Sequence, residues 1–160
     1  MIFVTVGHQT PFDRLVRLVD LWAGERGRKD LFAQIGEGSY RPAHFPSQAF
    51  LSPAEFDARM QGCSAVVAHA GTGTIIKALL LGKPLLVLPR LAAQGETRSD
   101  HQWGTARHFA ASGRILMAEY EDELPGLMDG LETFRPSGSL GTQASPELIR
   151  RIRAFVEEGK

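Results

Sequence analysis

Residues 65–89, AVVAHAGTGTIIKALLLGKPLLVLP, leave this chain few ways to fold. A short apolar run, Ala65–Ala68, ends on a turn of small residues, His69-Ala70-Gly71-Thr72-Gly73-Thr74. A helical pattern over Ile75–Leu81 follows and is closed by Gly82, and Lys83-Pro84 leads into a second apolar run, Leu85–Leu88. That order predicts strand, turn, helix, strand: a βαβ unit, which requires parallel strands. The turn then lies at the carboxyl end of the first strand and the amino end of the helix. Backbone N–H groups there lack intrahelical partners and sit at the positive end of the helix dipole. Gly71 and Gly73 offer no Cβ to hold a ligand away, Thr72 and Thr74 add hydroxyls, and His69 can add a ring N–H. The turn therefore suits a phosphate or diphosphate, although such a turn also serves as a plain tight connection. It is neither a Walker A loop, lacking Gly-Lys-Ser/Thr, nor the dinucleotide fingerprint, because Ile76 stands where the third glycine belongs.

The rest of the chain repeats the alternation. Ile2–Val6 reads as a buried strand and Gly7-His8-Gln9-Thr10 as the loop after it. Thr10-Pro11-Phe12-Asp13 predicts a capped helix start, with Thr10 as N-cap and Asp13 as its capping-box partner, running to about Ala23. Leu31–Ile35 is a second strand ended by Gly36-Glu37-Gly38-Ser39. Residues 48–51 read as a short strand, and Ser52-Pro53-Ala54-Glu55 as another capped start. A long loop over 89–99 leads to a helix opening at Asp100-His101-Gln102 and running to about Ala111. Arg114–Met117 is the final strand, and Glu121–Leu131 is helical. Residues 136–146, PSGSLGTQASP, read as a linker, and 147–160 as an amphipathic helix that either folds back on its own core or packs on another chain. The expected fold is α/β: a Rossmann-like parallel sheet with helices on both faces over 1–135. Ligands bind such sheets beyond the carboxyl ends of the strands, where the loops at 7–10, 36–39, 69–74 and 96–102 converge.

Bulk properties remove other classes. Eighteen Lys plus Arg balance eighteen Asp plus Glu, which gives a nucleic-acid partner no electrostatic support. A single cysteine, Cys63, excludes an internal disulfide and a cysteine-built zinc site, and its setting predicts a buried thiol. No carboxylate pair or histidine cluster asks for a metal, and no cofactor is expected. No apolar run reaches the length of a membrane span, and Met1–Val6 lacks the basic flank of a signal peptide, so a cytoplasmic protein is expected. His44 and His108 read as solvent-facing, as do Arg14, Arg17, Arg26 and Arg28. Arg90 and Arg98 lie nearer the site, within reach of phosphate or an acidic sugar.

Three segments together, MIFVTVGHQTPFDRLV, HAGTGTIIKALLLGKPLLVLPR and GETRSDHQWGTA, resemble the C-terminal half of GT-B glycosyltransferases of the family 28 type. More narrowly they resemble the single-domain proteins related to the catalytic subunit of the split UDP-GlcNAc transferase of N-glycan assembly, and the bacterial exopolysaccharide subunits of that group. The resemblance covers residues 1 to about 130. It implies a nucleotide-sugar donor site. Gly7, His8, Gln9 and Thr10 would lie near the donor phosphates, and His69, Gly71, Thr72, Gly73 and Thr74 at the diphosphate. Phe50 and Leu51 would hold the base through their backbone, and Asp100, His101 and Gln102 would meet sugar hydroxyls; Asp100 can equally be the N-cap of its helix. Many relatives carry a ribose-binding glutamate eight residues after the histidine, where this chain has Lys77. Glu96 is the candidate to replace it.

The function this implies is donor binding and catalysis in an inverting transfer of a sugar from UDP to a lipid-linked or glycan acceptor in polysaccharide biosynthesis. His69, the turn amides and Arg90 would stabilise the leaving diphosphate. The resemblance also implies a separate membrane-anchored subunit that binds the acceptor. This chain would then be peripheral to the inner face of the membrane, with Leu148, Ile152, Phe155 and Val156 helping to bind that partner. Two other readings stay open: a non-catalytic nucleotide-sugar-binding or regulatory module, and a fragment of a sugar-nucleotide epimerase, which shares the fold.

Overall fold

A computed structural model describes residues 1–98 and 101–138, together with Arg150; His101 is described in its backbone. Six strands form one sheet: β1 (Ile2–Thr5), β2 (Leu31–Gln34), β3 (Ser47–Gln48), β4 (Ala65–His69), β5 (Leu85–Leu88) and β6 (Leu116–Met117). Every neighbouring pair is parallel, in the order β3-β2-β1-β4-β5-β6. The order runs outward from β1 to one edge and then from β4 to the other. The crevice between β1 and β4 is thus the topological switch point, where such sheets bind ligands.

Among the described residues four α-helices cross between the strands, α1 (Asp13–Glu25), α2 (Pro53–Gly62), α3 (Thr72–Leu80) and α4 (His101–Ala111), and α5 (Leu124–Gly130) follows the last strand. Strand alternation sends successive side chains to opposite faces, and each face has its own core. Ile2, Val4, Leu31, Ala33, Ala65, Val67, Leu86 and Leu88 face α1 and α5, meeting Leu15, Val19, Leu124 and Met128. Phe3, Phe32, Val66, Ala68, Leu85 and Val87 face α2, α3 and α4, meeting Met60, Ile75, Leu79 and Ala106. The central strands are apolar up to their carboxyl ends, where Thr5, Gln34 and His69 stand, because neither face is wet. Cys63 is buried there as expected, its thiol donating to the Met60 carbonyl at 3.3 Å and pushed up in pKa by burial.

The two capped starts came out differently. Ser52 heads α2 with a complete capping box: its hydroxyl accepts the Glu55 N–H at 3.3 Å, and the Glu55 carboxylate accepts the Ser52 N–H at 2.8 Å. Thr10 caps nothing. Helix α1 starts at Asp13 behind Phe12, without a side-chain cap, because both partners are taken elsewhere. Asp13 accepts Ser39 N–H at 3.0 Å and Ser39 Oγ–H at 2.6 Å, and Thr10 turns to the loop after β5. Elsewhere the corrections are small: α3 begins at Thr72 rather than Ile75, β3 holds residues 47–48 rather than 48–51, and β6 is two residues long. Most of the expected linker, and the expected amphipathic helix with Leu148, Ile152, Phe155 and Val156, lie outside the described residues.

Candidate functional site

The site is built at the switch point, from the loops that leave β1, β4 and β5. Gly7 leaves β1 in the left-handed region, φ 76°, which a side chain would strain. A Cβ on Gly7 would also lie 2.7 Å from His69 Cε1, and one on Gly71 2.3 Å from His69 Nε2. The His69 ring, at the end of β4, therefore lies between two glycine backbones and takes up the space that both leave. At Gly71 the missing side chain makes room first for a histidine. A Cβ on Gly73 would meet nothing within 4 Å, so that glycine faces open space.

Burial, and then the Arg90 charge, push the His69 pKa down to about 4, with the Thr5 backbone working weakly the other way. The ring is thus neutral at pH 7. Its Nδ1 is buried and has no hydrogen-bond partner among the described residues. Beyond it, α3 opens with Gly71 as N-cap and no side chain capping its end. The amides of Thr72, Gly73 and Thr74 precede the first possible intrahelical bond, which Ile75 N–H makes to the Gly71 carbonyl at 3.0 Å. Thr72 and Gly73 are exposed.

His8 is exposed and stacks on Phe50, ring centres 5.8 Å apart, while its Nε2 lies 3.4 Å from Gln34 Nε2. That stack joins the first loop to the segment before α2, where Leu51 is buried in the core and Phe50 is 40% exposed. Gln9 is exposed. Arg90, only 3% exposed, ties the loops together from behind. Its guanidinium donates to the Val6 carbonyl at 2.7 Å, the Thr10 carbonyl at 2.5 Å and the Thr10 hydroxyl. Burial lowers its pKa, and the Glu96 charge opposes that. Gln102 accepts the Arg90 N–H at 3.4 Å, which brings the start of α4 to the same place.

Glu96 is equally occupied. Its carboxylate takes two hydrogen bonds from Arg14, at 2.8 Å each, and accepts the Leu91 N–H at 2.9 Å. Its carbonyl accepts the Thr10 hydroxyl at 3.0 Å. Arg14 also donates to the Pro89 carbonyl at 2.9 Å, and its side chain is 12% exposed, so it is not on the solvated face expected of it. Arg90 thus spends its two terminal nitrogens, and Glu96 its carboxylate, on the loops, while Arg90 Nε is buried with no partner among the described residues. Lys77 pairs with Asp57 of α2. Asp100 and the His101 side chain lie outside the described residues.

Sequence reasoning missed the buried polar pair Thr5 and Gln34, both without exposed surface. It also missed Asp20, a buried carboxylate that accepts Tyr40 O–H at 2.6 Å and the N–H groups of Ala43 and His44. His44, expected in solvent, is half exposed but places Nδ1 3.1 Å from Asp20. The signal for both was a polar residue inside an apolar period: Gln34 at the end of a strand, Asp20 among the inward positions of α1.

The profile of the glycosyltransferase family 28 C-terminal domain matches residues 1–140. The chain belongs to that family. The UDP-N-acetylglucosamine transferase subunit ALG13 of Eremothecium gossypii is 36% identical over 105 residues, 61% of this chain and half of the relative. The chain spans between about a tenth and a half of the length of the curated relatives it matches. Among solved structures, the solution structure of ALG13 superposes with a TM-score of 0.60 at 20% identity, covering 94% of this chain and 93% of that one. The crystal structure of Acinetobacter baumannii MurG gives 0.61 at 16% identity, covering 83% of this chain and 42% of that one. These likenesses establish a Rossmann-like fold, that of the C-terminal half of the GT-B fold. Among the described residues no helix is long and apolar enough to cross a membrane.

Proposed function

We propose that this family 28 domain is the donor-binding, catalytic subunit of an inverting glycosyltransferase that takes its sugar from a UDP-sugar. One observation carries the reading: at the switch point of a parallel sheet, the His69 ring lies between Gly7 and Gly71, and α3 opens beside it with the uncapped amides of Thr72, Gly73 and Thr74 and open space at Gly73. N–H donors at a helix start favour the charge that grows on a departing diphosphate more than the charge of the bound donor. A neutral His69 contributes a hydrogen bond rather than a charge. His8, Gln9 and Thr10 close the phosphate side, Phe50 and Leu51 hold the base, and Asp100, His101 and Gln102 take the sugar. Arg90 and Glu96 act through the loops they tie. No metal or cofactor is required.

The relatives named as subunits support a partner: a separate membrane-associated subunit that binds a lipid-linked or glycan acceptor in polysaccharide biosynthesis and holds this chain at the inner membrane face. Lys77, paired with Asp57 where the family resemblance implies a ribose-binding glutamate, favours a second reading as a non-catalytic nucleotide-sugar-binding module. Titration with UDP, GDP, UDP-GlcNAc and UDP-glucuronate tests the site. Uridine-selective binding that a His69→Ala/Thr72→Ala double variant loses is the expected result. Absence of binding, with and without the acceptor subunit, would overturn the donor site; binding without transfer in the complete complex would favour the second reading.

A further inference from the structure

Thr5 and Gln34 stand opposite one another in register at the ends of β1 and β2, wholly buried. Buried polar groups keep directed partners, and here the directions can be followed. The Gly7 N–H donates to Thr5 Oγ1 at 3.3 Å. The Thr5 hydroxyl in turn donates its proton to Gln34 Oε1 at 3.1 Å. With that oxygen occupied, the amide nitrogen of Gln34 is the atom facing His8, 3.4 Å from Nε2. An amide NH2 only donates, so in the neutral imidazole Nε2 must accept, and the ring proton must sit on Nδ1. Phe50, stacked at 5.8 Å with planes 23° apart, holds the ring from its face.

We propose that Thr5 and Gln34 are positioning residues that lock His8 in its Nδ1–H tautomer, so that its free nitrogen donates a hydrogen bond and cannot accept one. Among the described residues that nitrogen has no partner. Its ligand is an acceptor oxygen, of a phosphate or of a carbonyl. With its one lone pair already taken by Gln34, His8 is not the base that removes a proton from an acceptor hydroxyl. The ligand assignment rests on the donor site proposed above; the tautomer does not.

Long-range proton–nitrogen spectra of the labelled full chain, above neutral pH, read the tautomer directly. In the unaltered protein His8 is expected to show a protonated Nδ1 and an unprotonated Nε2. Gln34→Met removes the donor and Thr5→Val frees the amide to turn. Each is expected to raise the Nε2–H form, with exposed His108 unchanged as reference. The unaltered measurement stands whether or not a variant folds. A His8 that is mainly Nε2–H, or a tautomer ratio that neither folded variant moves, overturns the proposal. UDP titration of the same samples separates the two readings. A locked tautomer with no UDP affinity, in the complete complex as well, leaves the lock standing and removes the donor site. A changed tautomer in Gln34→Met should weaken UDP by about fivefold, the loss of one neutral hydrogen bond; unchanged affinity would remove His8 as a ligand contact.

Discussion

At the scale of single residues, the two glycines of the turn do different jobs. Gly71→Ala puts a methyl where the His69 ring lies, so the ring or the turn must shift. Denaturant unfolding should show a loss of about 1–3 kcal/mol, the range for overpacking. Gly73→Ala meets open space and lies in α3, so stability should hold or rise by about 0.5 kcal/mol while UDP binding weakens. Equal loss of stability in both would refute the cradle. His69 gives a second prediction. Its folded pKa of about 4 lies below the ordinary 6.5, so between those values the unfolded chain binds more protons. Stability on this account is complete above pH 6.5 and falls as pH drops toward 4, by about 3 kcal/mol at the limit. His69→Gln should flatten that part of the profile relative to the unaltered protein, leaving the acid loss due to Asp13 and Asp20, whose hydrogen-bonded carboxyls are held below their usual range. The turn was legible in sequence as a run of small residues after an apolar strand. That His69 fills the gap between Gly7 and Gly71 was not, since the two glycines come from different strands' loops.

At the scale of elements, identical local grammar gave one cap and one failure. Ser52-Pro53-Ala54-Glu55 had no tertiary competitor, so its box closed. Thr10-Pro11-Phe12-Asp13 met Arg90, the Glu96 carbonyl and Ser39, and these hydrogen bonds, charge-assisted at Arg90 and at the Asp13 carboxylate, outweighed a cap worth about 1 kcal/mol. Ser52→Ala should therefore cost about 1 kcal/mol in equilibrium unfolding and nothing in UDP affinity. Glu96→Gln should behave otherwise. It leaves Arg14 and its 12% exposed side chain without the matching charge, while the Thr10 hydroxyl keeps its bond to the residue 96 backbone carbonyl. A loss of about 3 kcal/mol is expected, as for breaking a largely buried pair, and an Arg14→Met/Glu96→Leu double variant should recover part of it. A double variant no better than Glu96→Gln alone would contradict that account. Strand and helix order was legible because burial on both faces makes each central strand a largely apolar run. Arg14 was misread because a charge on a helix face looks the same whether solvent or a carboxylate answers it.

At the scale of the whole molecule, the sequence announced the sheet, and the convergence of its loops followed from topology alone. What it could not announce was how the loops hold one another, because ties such as Arg90 to Val6 and Thr10 join residues far apart in the chain. The strand order has a further consequence, for synthesis. Strand β1 precedes the other strands of the sheet in the chain and sits in the middle, paired on one side with β2 and on the other with β4. While the ribosome works, Ile2–Thr5 can find β2 early but keeps an open, apolar edge until Ala65–His69 has emerged. An unpaired edge of that kind invites other strands. Stalled chains ending between α2 and β4 should be cut readily by protease and captured by chaperones. Chains carried past β5 should resist both, since β4 closes the exposed edge and the crevice forms in the same step.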